Sequence, residues 1–418
     1  MTCLEQATLL APPSPSTRTT LVLGSSGKTG RRIAARLHER GCAVRSGSRT
    51  ASPAFHWEDP STWSDVLSDV AQMVVILPSS LPIAGTPARF RALVQVAEAH
   101  GVERLVLVSG RGEAACLEWE AALRESSLAW TVLRSAWFQQ NLSEGDFAPM
   151  VRDGALAVSH ADVPEPFVDL DDLADVAVAV LSGPGHDGEI LEVTGPRLIS
   201  FRQLAGVLTE ALGRPIGIEA LSQADLLAAA AAGGASEEEL GLIDYLFGAL
   251  LDGRNAHLGD GVQRVLGRAP RDVAAFACAE AASGRWDTAP QSVVRRLIEQ
   301  GINGGNEAVL TELLHHDYVY RAPGEELRGP AALQALFAGY RQAFPDLHVA
   351  ITGSFDNGFM VATTFTLSGT HAGPLHGMPA SGRSVSVDGI VHSRVRDGRI
   401  AEEWELIDMA ALMQQLSG

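Results

Sequence analysis

The strongest chemical signal in the chain is the run Gly24-Ser25-Ser26-Gly27-Lys28-Thr29-Gly30. It follows an apolar run at 21–23 and opens an amphipathic stretch at 31–40 that stops at Gly41. Each glycine has a mechanical use. The first permits a tight turn, the second lets a pyrophosphate approach the backbone, and the third lets helix and strand pack closely. The unpaired N–H groups at the helix start would then hold phosphates, with Ser25, Ser26, Lys28 and Thr29 beside them. Strand, loop, helix and a second strand at 43–48 occur in that order, which is what raises a glycine pattern to a dinucleotide signal. An acid closing the second strand would bond a ribose 2′-OH, but the chain reads Arg45-Ser46-Gly47-Ser48-Arg49 there. Arg49 suits a 2′-phosphate, so the cofactor expected is NADPH rather than NADH. Asp59, near the adenine, and Pro78, closing the third apolar run, complete the expected cofactor contacts.

A second set of chemical residues lies near the C-terminus. Asp397-Gly398 between two alternating segments predicts a hairpin. Glu403 and Glu405 share a face by strand alternation. With a two-residue turn, Arg396 meets Arg399, His392 meets Glu403 and Ile390 meets Glu405. His392 and both glutamates then point to one side, and Val391, Val395, Ile400 and Trp404 to the other. A three-residue loop would put Val391 in place of His392. A histidine and a carboxylate in an apolar cavity could move protons at a carbon beside a carbonyl, with burial raising the glutamate toward neutrality. The competing reading is a solvated strand with a cross-strand His–Glu pair. His315-His316-Asp317 are consecutive, read here as a helix end, and Cys3, Cys42, Cys116 and Cys278 have no short spacing, so no metal is expected.

The elements that carry these residues fall into two styles. Through residue 133, short apolar runs alternate with amphipathic stretches, which predicts an α/β doubly wound Rossmann domain with a parallel sheet. Residues 222–282 are alanine-rich and read as helical. Beyond a break at 283–290, helices at 291–300 and 331–344 precede four long alternating strands, an α+β arrangement. The expected organisation is a leader at 1–18, a dinucleotide domain at 19–285 and a second domain at 286–418. The leader has no basic start and only a short apolar stretch, so it does not read as a signal peptide. A net charge of −18 repels phosphate backbones and anionic lipids, which argues against nucleic-acid and membrane partners. No apolar run reaches spanning length, and a cytoplasmic location is expected.

The first domain resembles the NmrA-like atypical short-chain dehydrogenase/reductases, on GSSGKTGRR, SGRG after Val108, WTVLRSAWFQQN at 130–141 and PFVDLDDLADVAV at 166–178. The resemblance implies a nicotinamide pocket near Ser109, Arg134, Phe138 and Asn141, with Ser135 where the group usually has proline. Lys28 is the only lysine, and no tyrosine precedes Tyr245. The Tyr–Lys device of many short-chain reductases therefore cannot form, leaving C=N, quinone or activated C=C acceptors as the expected substrates. Residues 288–418 resemble the SnoaL-like polyketide cyclases, cone-shaped α+β barrels related in fold to ketosteroid isomerase. The likeness rests on HHDYVYRAP, RGPAALQALFAGYRQAFPDL, GTHAGPLHGMPASGRSV and VRDGRIAEEWELID. It implies an acid/base at Glu405, where family cyclases carry Asp, a histidine on the strand before it, and a homodimer. His371 and His376, in the segment over the barrel mouth, are candidates for substrate contact or plain loop histidines, and Tyr318 and Tyr320 read as packing residues, with Tyr318 a candidate for the pocket. The combined expectation is an NADPH-dependent reductase joined to a cofactor-free cyclase or isomerase acting on small molecules. The alternatives are a dinucleotide-sensing regulator with a ligand-binding barrel, or a catalytic barrel on a dinucleotide-fold scaffold.

Overall fold

A computed structural model describes residues 19–77, 86–375, 377–396 and 398–417. They form two compact units that part between Glu280 and Ala281.

In the first unit, β1 (Thr19–Leu23), β2 (Val44–Gly47), β3 (Val70–Ile76), β4 (Arg104–Gly110) and β5 (Ala129–Ser135) are each followed by a turn and a return segment. A two-stranded side pair of β6 (Ala155–Val158) and β8 (Gly217–Ala220) flanks them, and β7 (Glu189–Val193) completes the main sheet. The main sheet is parallel throughout, in the order β2-β1-β3-β4-β5-β7. Its strands are apolar at nearly every position because both faces are covered. Leu21, Leu23, Met73, Val75, Leu105 and Leu107 pack to one side with Trp63, Phe90 and Trp119. Val22, Val74, Val106 and Val108 pack to the other with Ile33, Leu37, Leu173 and Val176. That period of two, repeated in three neighbouring strands, sets the register. The C-terminal strand ends, at Leu23, Gly47, Ile76, Gly110, Ser135 and Val193, lie along one edge, where ligands of open α/β sheets bind.

In the second unit, β9 (Leu314–Ala322), β10 (Glu325–Arg328), β11 (His348–Asp356), β12 (Met360–Thr370), β13 (Ser384–Arg396) and β14 (Arg399–Ile407) form one sheet in the order β10-β9-β14-β13-β12-β11. All pairs are antiparallel except β14 with β9. One face packs on helices Pro290–Arg296, Glu307–Leu313, Pro330–Ala343 and Met409–Ser417 through Val293, Leu313, Leu333, Phe344, Val361, Val391 and Leu412. His315, His316 and Asp317, expected at a helix end, stand at the start of β9 instead.

The β13–β14 hairpin turns at Gly398, whose φ of 69° suits glycine, and Arg396 meets Arg399 as a two-residue turn requires. Ala401 then has no partner. Val395 pairs with Ile400 but Arg394 pairs with Glu402, so every later residue is displaced by one. The cause lies in the sequence: Ile400 and Ala401 are adjacent and both buried, which strict alternation cannot accommodate and a bulge can. The expected pairing of His392 with Glu403 is therefore corrected. His392 meets Trp404, Ser393 meets Glu403 and Val391 meets Glu405.

Candidate active sites

At the end of β1 the chain turns at Gly24 with φ 82°. Its N–H donates to the Gly47 carbonyl at 3.0 Å, and the Gly27 N–H donates to the Gly24 carbonyl at 3.0 Å. Gly24, Ser26 and Gly27 are exposed, while Ser25 and Thr29 are buried behind them. The helix Lys28–Glu39 starts with no side-chain cap, so its first N–H groups face the open loop. Gly30 lies against the turn: a Cβ there would sit 2.1 Å from the Gly24 oxygen. The Lys28 ammonium donates to Asn141 Oδ1 at 2.7 Å, and burial pulls its pKa below the ordinary lysine range. Glu144, one turn on, pairs with both Arg31 and Arg32. The segment Asn141–Glu144 is thereby held beside the glycine loop.

Arg49 is exposed and pairs with no carboxylate among the described residues. Arg45, by contrast, donates to the carbonyls of Val66 and Ser68. Only Arg49 of the pair is available to an anion. An exposed, uncapped glycine turn with an unpaired guanidinium past β2 fits a phosphorylated dinucleotide. Asp59 is exposed and caps the turn Pro60–Thr62, accepting from Ser61 N at 3.0 Å and Ser61 Oγ at 2.6 Å, bonds that hold its carboxyl below the usual range. Its observed role is that cap. Pro78 lies outside the described residues.

At the ends of β4 and β5, Ser109 and Arg134 share one buried partner. Ser109 is buried and donates to Glu120 Oε1 at 3.1 Å. Arg134 grips the same carboxylate with bonds of 2.8 and 2.6 Å. Glu120 is fully buried, and an ionised carboxylate there demands paired donors. Ser109 thus points its hydroxyl to Glu120 on the helix Ala114–Arg124. Phe138, half-buried, packs with the apolar cluster behind β4 and β5 and pairs its backbone with Val168.

Three groups at this end escaped the sequence reading. Glu113 lies against Gly110, the last residue of β4, and faces Tyr245; burial raises the carboxyl and pushes the Tyr245 phenol to about 12. Arg111 is buried and donates to Glu192 at 2.9 Å and to the carbonyls of Asn255 and His257. Glu165 is 1 % exposed, and neither carboxylate oxygen has a hydrogen-bond partner among the described residues. Its only sequence mark is its place between Pro164 and Pro166.

Burial pushes the Glu165 pKa from 4.5 to about 7, against the opposing charge of Arg111. A raised folded-state pKa means that the folded chain holds the proton more tightly. The stability this contributes is complete below pH 4.5 and lost as pH rises through about 7. Chemical denaturation is expected to show a loss of roughly 3 kcal/mol across that window. Glu165→Gln should flatten it; an unchanged pH dependence in the variant would refute the assignment.

In the second unit, a cavity of about 560 Å³, its open mouth included, is bounded mostly by aliphatic and aromatic side chains. The polar residues lining it are Tyr320, Tyr340, Glu403 and Glu405. The two glutamates differ. Glu403 is buried and both its oxygens accept hydroxyls, Tyr318 at 2.5 Å and Ser393 at 2.6 Å. Among the described residues Glu405 accepts from Tyr320 alone, at 2.9 Å on Oε1, and its side chain lines the cavity. Burial pushes its carboxyl from 4.5 to about 7, with the neighbouring Glu403 adding to the rise. A half-shielded carboxyl poised near neutrality can take and return a proton.

His392, Tyr318 and His371 do not line this cavity. His392 is exposed on the outer face, beside Trp404, over which Arg321 and Arg394 lie at 5.3 and 5.8 Å. Tyr318 is fully buried behind Glu403 and does not line the pocket. His371 is buried against Phe344, its Nδ1 accepting from the Ser381 N–H at 3.1 Å, and its backbone is hydrogen-bonded to Gly382 and Arg383. His376 lies outside the described residues. The ligand atoms of His315, His316 and Asp317 come within 4.8 Å of one another, but the Arg396 guanidinium sits on the His315 ring, 3.0 Å from Nε2. A fixed cation there opposes a metal ion.

Comparison with known proteins fits both units. The NAD(P)H-binding family pattern matches residues 24–184. Agroclavine dehydrogenase of Claviceps fusiformis is 30% identical over 279 residues, covering 62% of this chain and 96% of that enzyme. The chain belongs to the NmrA-like reductase family. A second member, the NAD(P)H azoreductase of Xenophilus azovorans, is 27% identical over 63% of this chain and 98% of its own length. The NADPH-dependent quinone oxidoreductase QOR2 of Escherichia coli, solved with NADPH, superposes on 62% of this chain and 99% of its own with a TM-score of 0.54 at 20% identity, which shows the shared fold. The SnoaL-like polyketide cyclase pattern matches residues 292–416. This NmrA-like chain is thus an NAD(P)H oxidoreductase carrying a SnoaL-like domain. Among its described residues no helix is long and apolar enough to cross a membrane.

Proposed function

We propose that the chain is a bifunctional enzyme of specialised metabolism. Its first unit is an NADPH-dependent reductase of C=N, quinone or activated C=C acceptors. Its second is a cofactor-free cyclase or isomerase that uses Glu405 to move a proton beside a carbonyl. The observation that carries the reading is Glu405 itself: one oxygen held by Tyr320, the side chain lining a largely apolar cavity, its pKa brought to about 7. For the first unit, the uncapped loop holds the pyrophosphate, Arg49 meets the 2′-phosphate, and Lys28 with Asn141 borders the same loop. The nicotinamide coenzyme supplies the hydride when bound. The Tyr245–Glu113 pair at the end of β4 is the chain's nearest substitute for the missing Tyr–Lys device, and it supports proton delivery to a reduced product. Relatives named for turnover give a sensor-only reading no support. A reducing cytoplasm suits the three described cysteines, all free thiols. The reading includes a small-molecule substrate and a homodimer.

The test is NADPH oxidation by the purified protein against a panel of quinones, cyclic iminium ions and enones. Turnover of at least one class is expected, and none with any class would overturn the reductase half. Arg49→Ala should weaken NADPH binding about tenfold, the scale of one charge-assisted phosphate contact. NADH binding, which lacks that phosphate, should hardly change. Equal losses for the two coenzymes in calorimetry would remove Arg49 from the 2′-phosphate.

A further inference from the structure

We infer that Tyr340 is the hydrogen-bond donor that completes the second unit's site, and that its substrate is a neutral, hydrophobic ketone. The inference rests on the enolising role given above to Glu405. Three tyrosines approach the two buried glutamates. The Tyr318 hydroxyl is engaged by Glu403 and the Tyr320 hydroxyl by Glu405. Tyr340, on the helix Pro330–Ala343 across from β14, also lines the cavity, and among the described residues its hydroxyl makes no hydrogen bond. Burial, and after it the negative charge of Glu405 on the same cavity wall, raises the phenol's pKa and keeps it protonated. A protonated phenol with no acceptor among the described residues, in a largely apolar pocket, is a donor awaiting one.

The pairing matches what enolisation needs. The C–H bond next to the carbonyl breaks and its proton passes to the Glu405 carboxylate. The bonding pair moves into a C=C bond, and the carbonyl oxygen takes the negative charge. The Tyr340 O–H hydrogen-bonds that oxygen while keeping its proton. Return of the proton from Glu405 to the same or a conjugated carbon restores the neutral product. The lining selects the substrate: among the described residues no lysine or arginine faces the cavity to receive an anion, and two glutamates would repel one. Leu297, Leu333, Phe337, Phe365 and Val391 offer an apolar bed for a flat ring system.

The experiment uses the full-length protein and 2-tetralone in D₂O, with loss of the α-proton NMR signal as the readout. Wild type should exchange the α-protons faster than buffer. Tyr340→Phe removes one oxygen from a cavity wall and should lower kcat about a hundredfold with KM little changed, the effect of deleting one donor to a developing oxyanion. It should also weaken binding of 2-naphthol, an enol mimic, by about tenfold. An unchanged circular dichroism spectrum and an unchanged set of thermal transitions show that both units remain folded. If Tyr340→Phe exchanges like wild type while Glu405→Gln does not, the Tyr340 inference is wrong and the Glu405 reading stands. If Glu405→Gln exchanges like wild type, or wild type does not exchange at all, both fall.

Discussion

A Gly30→Ala variant is expected to lose NADPH binding by at least about a hundredfold. The added methyl would meet the Gly24 oxygen at 2.1 Å, and the Gly24 carbonyl carbon and Ser25 Cα at 2.7 Å each. All three are backbone atoms, so no side chain can swing aside. The conflict must be relieved by moving the turn or the helix Lys28–Glu39. Overpacking of this kind costs about 1–3 kcal/mol in stability. Its effect on binding is larger, because the Gly24–Gly27 turn and the first N–H groups of the helix must converge on one pyrophosphate. Isothermal calorimetry with NADPH, alongside circular dichroism to confirm the fold, checks this. Wild-type affinity in the variant would mean that the loop does not hold the phosphates. Gly27→Ala makes a useful contrast: its Cβ would lie an ordinary 3.4 Å from the Gly24 oxygen, so its effect should report ligand approach rather than packing.

Glu405→Gln is expected to reduce proton transfer in the second unit by about 10² to 10⁴, the usual contribution of a positioned general base. The amide keeps the size of the side chain and can still accept from Tyr320 Oη, so the cavity shape is retained. The pH dependence of the wild type is the sharper check. The carboxyl is raised to about 7, first by burial and then by Glu403, while the Tyr320 bond opposes the rise. The base is active only when ionised, so the rate should climb with pH through about 7 and level off above it. At pH 5 it should be roughly a hundredfold below the plateau. A profile flat from pH 5 to 8 would show that the ionisation of Glu405 does not limit the reaction. Tyr320→Phe removes the opposing bond and should move the midpoint upward.

The two units place their chemistry by different means. The dinucleotide loop is local: a turn, a strand end and a helix start within one short segment. The cavity of the second unit is not. Tyr318 and Tyr320 recur at a period of two, as do Glu403 and Glu405, and both pairs face the same interior. Those matching periods were visible in the chain. What was hidden is that β9 lies parallel to β14, 85 residues later, so that the two pairs form a ladder. The sequence reading omitted a strand at 314–322, and without it the glutamates had no tyrosine partners. His392 drew attention instead, since strand alternation alone placed it with Glu403.

Apolar runs, glycine positions and the change of rhythm near residue 283 were enough to read a parallel doubly wound sheet, a dinucleotide loop and a second α+β module, because each depends on neighbours a few residues apart. The hairpin turn was legible for the same reason. Its register was not: one unpaired residue, Ala401, reverses which of His392 and Ser393 faces inward, and only the demand to bury both Ile400 and Ala401 decides it. Ser109 and Arg134 were drawn to Glu120 by a buried charge that no spacing announces. Likewise, which of three tyrosines is left with a free hydroxyl depends on where the fold brings the carboxylates. Burial and long-range pairing belong to the packed chain, and they assign the donors, acceptors and pKa values on which the chemistry rests.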